Sequence, residues 1–314
     1  MKKIISKVFK RLKKTPINQW AFLFEWVTVS QWNKFFSIRP SSKPYLSGDT
    51  YLEISSRQYL GENEFKINTG DIVFCRVTML LEFQEKALIN NISPFVLITH
   101  HGDDLVDEKY MQLINHPHLV HWYAQNSILK HPKITTIPIG LEDAWRHNNG
   151  IVNDFNLLRK KKVSKKPHIL YGFNPITNLR VRPHVLEIMK KSKVAHEVKS
   201  LSRAYRKELN RAMFVASPEG NGIDCHRTWE ALYLRTIPIV VGKFYSNFPG
   251  FPGLVLEKWE DILQLTEEEL VLIYEERIQM LETYDCIWHS YWRDKIGANT
   301  SYCNSFHQQV SGMA

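Results

Sequence analysis

Eight short apolar runs punctuate the chain: Asp71 to Val77, Pro94 to His100, Leu119 to Gln125, Ile134 to Gly140, His168 to Phe173, Ala212 to Ser217, Ile237 to Gly242 and Gly253 to Glu257. Each is close to continuously hydrophobic and rich in β-branched residues. That is the pattern of strands covered on both faces, not of half-exposed ones. Helix-length segments separate them, and strands alternating with helices predict parallel sheets. A long helix rich in Glu and Leu is expected from about Thr266 to Asp285, outside the second half or crossing back to the first.

The runs fall into two groups of four. Between them lies Asn148 to Pro167, with Asn148-Asn149-Gly150, then Arg159-Lys160-Lys161-Lys162 and Lys165-Lys166-Pro167. Turn residues followed by a charge run read as a linker leading into a new strand. At 314 residues, two domains are the natural expectation. The reading is an α/β chain of two Rossmann-like domains facing a central cleft. One domain occupies residues 41–150 and a second, with a final helical segment, occupies 164–314, after an N-terminal segment 1–40. Ligands in such sheets sit beyond the carboxyl ends of the strands.

Charge changes the picture at one end only. Residues 1–14 carry seven Lys and Arg and no acid, leaving +2 of the net +9 for the rest. A body so nearly balanced is not expected to bind nucleic acid. In the tail, Ile4, Ile5, Val8, Phe9 and Leu12 recur at helical spacing with lysines opposite. A basic amphipathic helix suits an anionic membrane surface; a solvated, frayed terminus is the plainer alternative. The apolar run Trp20 to Val29 contains Glu25 and is too short to span a bilayer. Four scattered cysteines with no CxxC pair fit a reducing compartment. The expected location is cytoplasmic, peripheral to the inner face of the membrane.

The segment Phe214 to Leu232 carries the most chemistry. A strand ends at Pro218, Gly220-Asn221-Gly222 permits positive φ and close approach, and Asp224 is placed to cap a helix from Cys225 to about Arg235. A strand, a glycine loop and a helix N-terminus make an anion site, because free N–H groups point outward there. His226, Arg227 and Glu230 fall on one arc of that helix, with Cys225, Trp229 and Leu232 on another. Arg227 can hold a phosphate and Glu230 a ribose, which together describe a nucleoside diphosphate. An ordinary βα turn is the alternative.

Ser217 to Val240 also resembles the C-terminal nucleotide-binding motif of the exostosin-like glycosyltransferases, and the likeness extends more loosely over Ile169 to Trp259. It implies a GT-B arrangement and metal-independent hexosyl or pentosyl transfer. The donor would be a UDP-linked nucleotide sugar, a co-substrate, with no cofactor or metal. The acceptor would be a glycan or lipid-linked saccharide in cell-surface polysaccharide synthesis. Donor roles follow for Arg227 and Glu230, with Ser217, Glu219, Gly220, Asn221, Gly222 and His226 around them. An arginine after the first donor-domain strand is implied to reach the diphosphate. Arg182 fits that spacing best and Arg180 second.

No family motif covers the first half. There Thr99-His100-His101-Gly102-Asp103-Asp104 follows a strand and offers Asp103, Asp104 and His101 as acceptor-activating groups, unless it is a polar turn. His121 to Asn126 and Gly140 to Glu142 end neighbouring strands. Two other readings stand: a metal-dependent hydrolase using His100, His101, Asp103 and Asp104, and a non-catalytic nucleotide- or glycan-binding protein of the same fold.

Overall fold

Two parallel five-stranded sheets form the described structure. A computed structural model describes residues 41–89, 91–144, 149–199 and 203–311, all within the unit Ser41–Ala314. The expected amphipathic tail and the Trp20 to Val29 run lie outside the described residues.

The first sheet holds β1 (Arg57–Gln58), β2 (Asp71–Arg76), β3 (Phe95–His100), β4 (Leu119–Ala124) and β5 (Ile134–Thr136) in strictly sequential order. The second holds β6 (Lys166–Tyr171), β7 (Ala195–Glu197), β8 (Ala212–Ala216), β9 (Ile237–Val241) and β10 (Leu254–Leu256), in the order β10-β9-β8-β6-β7. The second order reverses between β6 and β8. That reversal is the topological switch point of a doubly wound sheet, where a crevice opens at the strand ends. The sequential first sheet has none.

The helices are α1 (Gly48–Ile54), α2 (Leu80–Lys86), α3 (Met111–Ile114), α4 (Val152–Arg159), α5 (Arg182–Lys191), α6 (Arg203–Leu209), α7 (His226–Tyr233), α8 (Glu267–Glu282) and α9 (His289–Ser311). Alternate residues of the first sheet enter separate cores. Val73, Leu97 and Trp122 pack under Leu80 and Phe83. Phe74, Ile98 and Tyr123 pack against Leu46, Trp292 and Ile296. The second of these faces is therefore covered by α1 and by α9, the last helix of the chain. Lys295 O accepts from the Tyr123 hydroxyl at 3.1 Å, and Asn299 Nδ2 donates to it at 2.8 Å. The helix that crosses back to the first half is thus α9, while α8 stays on the second sheet. The first sheet is completed by residues from within 164–314.

In the second half, α5 covers Ile169, Phe214 and Ile239 on one face. Trp229, Leu232 and Tyr233 of α7 cover Leu170, Val215 and Val240 on the other. Beside this core, Arg206 Nη2 lies 2.6 Å from Asp154 Oδ2, joining α6 to α4, with both side chains buried. Among the described residues, no helix is long and apolar enough to cross a membrane.

Removing one partner of a buried ion pair leaves the other charge stranded. Asp154→Ala is therefore expected to cost about 3–5 kcal/mol in urea unfolding. The double variant Asp154→Ala/Arg206→Met should recover most of that loss.

Candidate functional site

The carboxyl ends of the two sheets meet at Asp224. This residue is buried and does not cap the helix. Cys225 is the residue before α7, extended at φ −125 and ψ 137, with no side-chain cap. Instead the Asp224 carboxylate accepts from Ile139 N (2.8 Å), Cys225 N (2.9 Å), Trp229 Nε1 (2.9 Å) and the Tyr245 hydroxyl (3.2 Å). Its own N–H donates to Asn126 Oδ1 at 3.2 Å. One side chain thus joins the segment after β5 to the helix after β8. Burial pushes its pKa up and the four donors oppose this, with the balance at about 6. The carboxylate beside the proposed phosphate is accordingly engaged with donors.

The glycine loop achieves close approach without positive φ, since neither Gly220 nor Gly222 adopts it. A Cβ at Gly220 would come within 2.9 Å of Arg182 Nη2, and one at Gly222 within 2.9 Å of Asn126 Nδ2. Gly222 also lies against the Asp103 backbone, so the loop after β3 and the loop after β8 touch. Asn221 is the exposed tip between them. Ser217 is buried, and its hydroxyl joins Thr228 Oγ1 (2.9 Å), which in turn meets the Tyr245 hydroxyl (3.0 Å). That chain leads back to Asp224.

Arg182 is the larger departure from expectation. Its guanidinium is buried and donates to the carbonyls of Glu219 (2.8 Å), Asn174 (3.2 Å) and Pro218 (3.2 Å), and to Thr177 Oγ1 (2.5 Å). These bonds take up its fork, so Arg182 moulds the loop from beneath and is not presented to a diphosphate. Arg180 is exposed and borders a cavity of about 240 Å³ with Ser217, Glu219 and Trp259. The Glu219 carboxyl is pushed up by burial, with Arg180 opposing.

His226, Arg227 and Glu230 share one side of α7, as their spacing predicts. Among the described residues nothing accepts from the amides of His226 and Arg227, the first two of the helix. His226 Nδ1 donates to Gly140 O at 2.8 Å, which leaves Nε2 as its second polar atom. Arg227 donates Nε–H to the Tyr205 hydroxyl (3.0 Å) and Nη2–H to Gly172 O (2.8 Å). Phe173 lies between Arg182 and Arg227, 5.7 and 5.8 Å from their guanidinium carbons. Both arginines therefore gather at the switch point between β6 and β8. Neither pairs with a carboxylate among the described residues.

Glu230 is only 6% exposed, yet among the described residues no donor bonds its carboxylate. Burial raises its pKa, His226, Arg227 and Arg206 pull it back, and Glu142 adds to the rise. Gly140 and Glu142 thus line the same region as the α7 residues.

Across the junction, β3 ends at His100, and His101 turns the chain with φ 60. Asn126, at the end of β4, has φ 55. Left-handed backbone in non-glycine residues is uncommon and gathers at functional sites. His100 accepts the His101 N–H at Nδ1 (2.8 Å) and donates from Nε2 to Ile139 O (3.2 Å), which fixes the neutral ring. Burial, reinforced by His101, pushes its pKa down to about 3. His101 Nε2 lies 2.9 Å from Asp143 Oδ2, and the Asp49 N–H donates to Asp143 Oδ1 at 2.9 Å. Burial alone would raise the Asp143 carboxyl, but its bond to His101 holds it below the ordinary value. The His101 ring rests directly on Gly48, where a Cβ would fall 1.9 Å from Nε2.

The set His100, His101, Asp103 and Asp104 is not brought together. Asp103 and Asp104 are exposed, and both His100 nitrogens are occupied. What does converge among the described residues is Asp49, His101 and Asp143, offering one atom each within 4.8 Å, a spacing that can hold a cation. Sequence spacing gave no sign of this, because Asp49 and Asp143 are 94 positions apart. Trp122 and Tyr123 belong to the cores, Trp122 with its Nε1 donating to Thr99 Oγ1 at 2.9 Å.

No known family model matches the sequence, and no curated protein does. Similar solved structures include the GtfA/B complex, with TM-score 0.41, 11% identity, and coverage of 75% of this chain and 58% of that one. Another is the pneumococcal O-GlcNAc transferase GtfA in complex with UDP and GlcNAc, with TM-score 0.33, 12% identity and coverage of 78% and 57%. The chain spans less than two thirds of either. At TM-scores below 0.5 neither likeness bears on fold or activity.

His100 gives the site a pH signature. Its folded pKa of about 3 lies below the ordinary 6.5, so the unfolded chain takes the proton first. The stability it contributes is complete above about pH 6.5 and is lost as the pH falls toward 3. Urea unfolding at pH 7.5 and 5 should show the wild type losing about 2 kcal/mol more than His100→Asn. The other histidines are common to both proteins and cancel.

Proposed function

We propose that the chain is an exostosin-like glycosyltransferase of GT-B arrangement. It moves a hexosyl or pentosyl group from a UDP-linked donor to a glycan or lipid-linked acceptor in cell-surface polysaccharide synthesis. Residues 41–150 present the acceptor and 164–314 hold the donor. Residues 1–14 hold the protein against the anionic inner face of the membrane.

The observation that carries this reading is Glu230, a buried carboxylate that no donor among the described residues bonds, one turn beyond the amino end of α7. A vicinal diol of ribose supplies the donors it lacks. The amides of His226 and Arg227, with the Arg227 guanidinium aimed by Tyr205 and Gly172, suit the diphosphate. The position of Phe173, Arg227 and Gly172 at the switch point of the second sheet supports a diphosphate bound there.

Transfer then requires the acceptor hydroxyl to lose its proton as its oxygen bonds to the anomeric carbon. The bond from that carbon to the diphosphate breaks, and the nucleoside diphosphate leaves with the electron pair. Charge on the leaving group is met by the α7 amino end and Arg227. His101 is assigned the proton. Asp143 lies 2.9 Å from Nε2 on one side of the ring, which leaves Nδ1 for the acceptor. Asp103, whose backbone borders the glycine loop, helps to seat the acceptor, and Asp104 stands beside it.

Arg227→Ala and Glu230→Ala should each weaken UDP binding by about 1.5–3 kcal/mol, roughly ten- to a hundredfold in Kd, by calorimetry. Both variants binding UDP as tightly as wild type would end this reading.

The cation-capable set Asp49, His101 and Asp143 supports a second reading, in which a metal-bound water acts on the substrate. Under the transferase reading, Asp143→Asn lowers kcat by about a hundredfold or more with UDP affinity intact, and chelation leaves turnover unchanged. Activity abolished by chelation and restored by a divalent cation would select the metal instead.

A further inference from the structure

The linker between the sheets walls a second cavity, of about 910 Å³, far larger than the one beside Ser217. Arg159, Lys160, Lys161, Lys162, Lys165 and Arg235 border it, and no Asp or Glu does. Its place in the topology is set by what flanks it. Lys165 precedes β6, Asn210 precedes β8 and Arg235 precedes β9. The cavity therefore opens at the amino ends of these strands, the opposite end of the sheet from Arg227 and Glu230.

Three of its cations are held in place. The Arg159 guanidinium sits 4.6 Å from the Trp288 ring centre and 5.8 Å from that of Tyr45. Lys165 Nζ donates to Leu234 O and Thr236 Oγ1, both at 2.8 Å, which leaves its third N–H for a ligand. Arg235 has φ 57, and its carbonyl accepts from the Tyr274 hydroxyl. Arg235 also pairs with Glu282 at 3.0 Å, whereas the other five form no ion pair among the described residues. Arg159, Lys160, Lys161 and Lys162, with the partly charged Lys165, repel one another around one concavity and concentrate anions. A merely solvated linker would not require an arginine stacked on two aromatic rings or a lysine bonded to two fixed acceptors.

We propose that this cavity is a second phosphate-binding site, which takes a ligand carrying at least two phosphate charges. Its volume lies within the range of small-ligand pockets, roughly 300–1,000 Å³, and exceeds what a single phosphate fills. Burial and Arg235 push the Lys165 ammonium down to about 7, and a bound anion restores its charge. The site is independent of the donor reading, because it uses none of the same residues.

Pyrophosphate titrated calorimetrically into the full chain carrying Arg227→Ala tests it with the donor segment weakened. Saturable binding is expected there. It should fall about tenfold or more when Arg159→Gln, Lys161→Gln and Lys162→Gln are added, and measurably with the exposed Lys161→Glu alone. Absence of saturable binding, or binding unmoved by both sets of substitutions, overturns the proposal. A second arm separates the sources. Chain with Lys2, Lys3, Lys7, Lys10, Lys13 and Lys14 changed to Gln is floated with vesicles of phosphatidylcholine alone or mixed with phosphatidic acid, whose phosphomonoester can carry two charges. Flotation with the mixed vesicles that the triple substitution removes identifies a lipid headgroup. Pyrophosphate binding without flotation identifies a soluble ligand.

Discussion

Everything at the junction of the two sheets depends on one buried carboxylate. Asp224 takes four donors from both halves of the chain and gives its own N–H to Asn126. A buried acid with fewer donors would be neutral, and an apolar residue would leave the Ile139 amide and the Trp229 indole unpaired. The bond to Ile139 holds the segment that ends in Gly140, whose carbonyl then orients His226. The bond to Trp229 fixes the rotation of α7 about its axis, and with it the direction of Arg227 and Glu230. A single residue therefore sets both the spacing of the halves and the aim of the helix.

Around that fixed point the two halves contribute unequal chemistry. The second sheet supplies a switch point with Arg227, a helix amino end and a carboxylate that no donor among the described residues bonds. The first supplies strained strand ends, a neutral His100 and the His101–Asp143 pair. Arg227 and the α7 amino end thus approach the junction from one side, and His100 and His101 from the other. At the far end of the second sheet a basic cavity gathers a separate set of cations that the junction does not use.

Much of this was legible in the residues. All eight apolar runs contain strands; the central ones are buried on both faces and so nearly all hydrophobic, whereas Ile134–Thr136 and Leu254–Leu256 are partly exposed edges. The two strands that escaped notice, Arg57–Gln58 and Ala195–Glu197, are short edges with polar residues and leave no such trace. Helical spacing placed His226, Arg227 and Glu230 on one side of α7. It could not show that Asp224 faces inward, because Asp before a helix is the ordinary cap and its real partners are distant in sequence. Arg182 misled for a similar reason: its spacing after the first strand of the second domain fits the resemblance, but buried carbonyls distant in sequence take up its donors. Asp49 and Asp143 could not be linked to His101 by any local pattern.

The path of α9 has a consequence for how the protein is made. Trp292 and Ile296 seal a face of the first sheet whose strands lie in the first half of the chain. On a ribosome those strands emerge long before their cover. At about 5–20 residues per second, the apolar side bearing Phe74, Ile98 and Tyr123 waits roughly ten to thirty seconds for its last helix. During that interval the nascent chain carries this apolar face without α9 over it, the kind of surface on which unfinished chains associate.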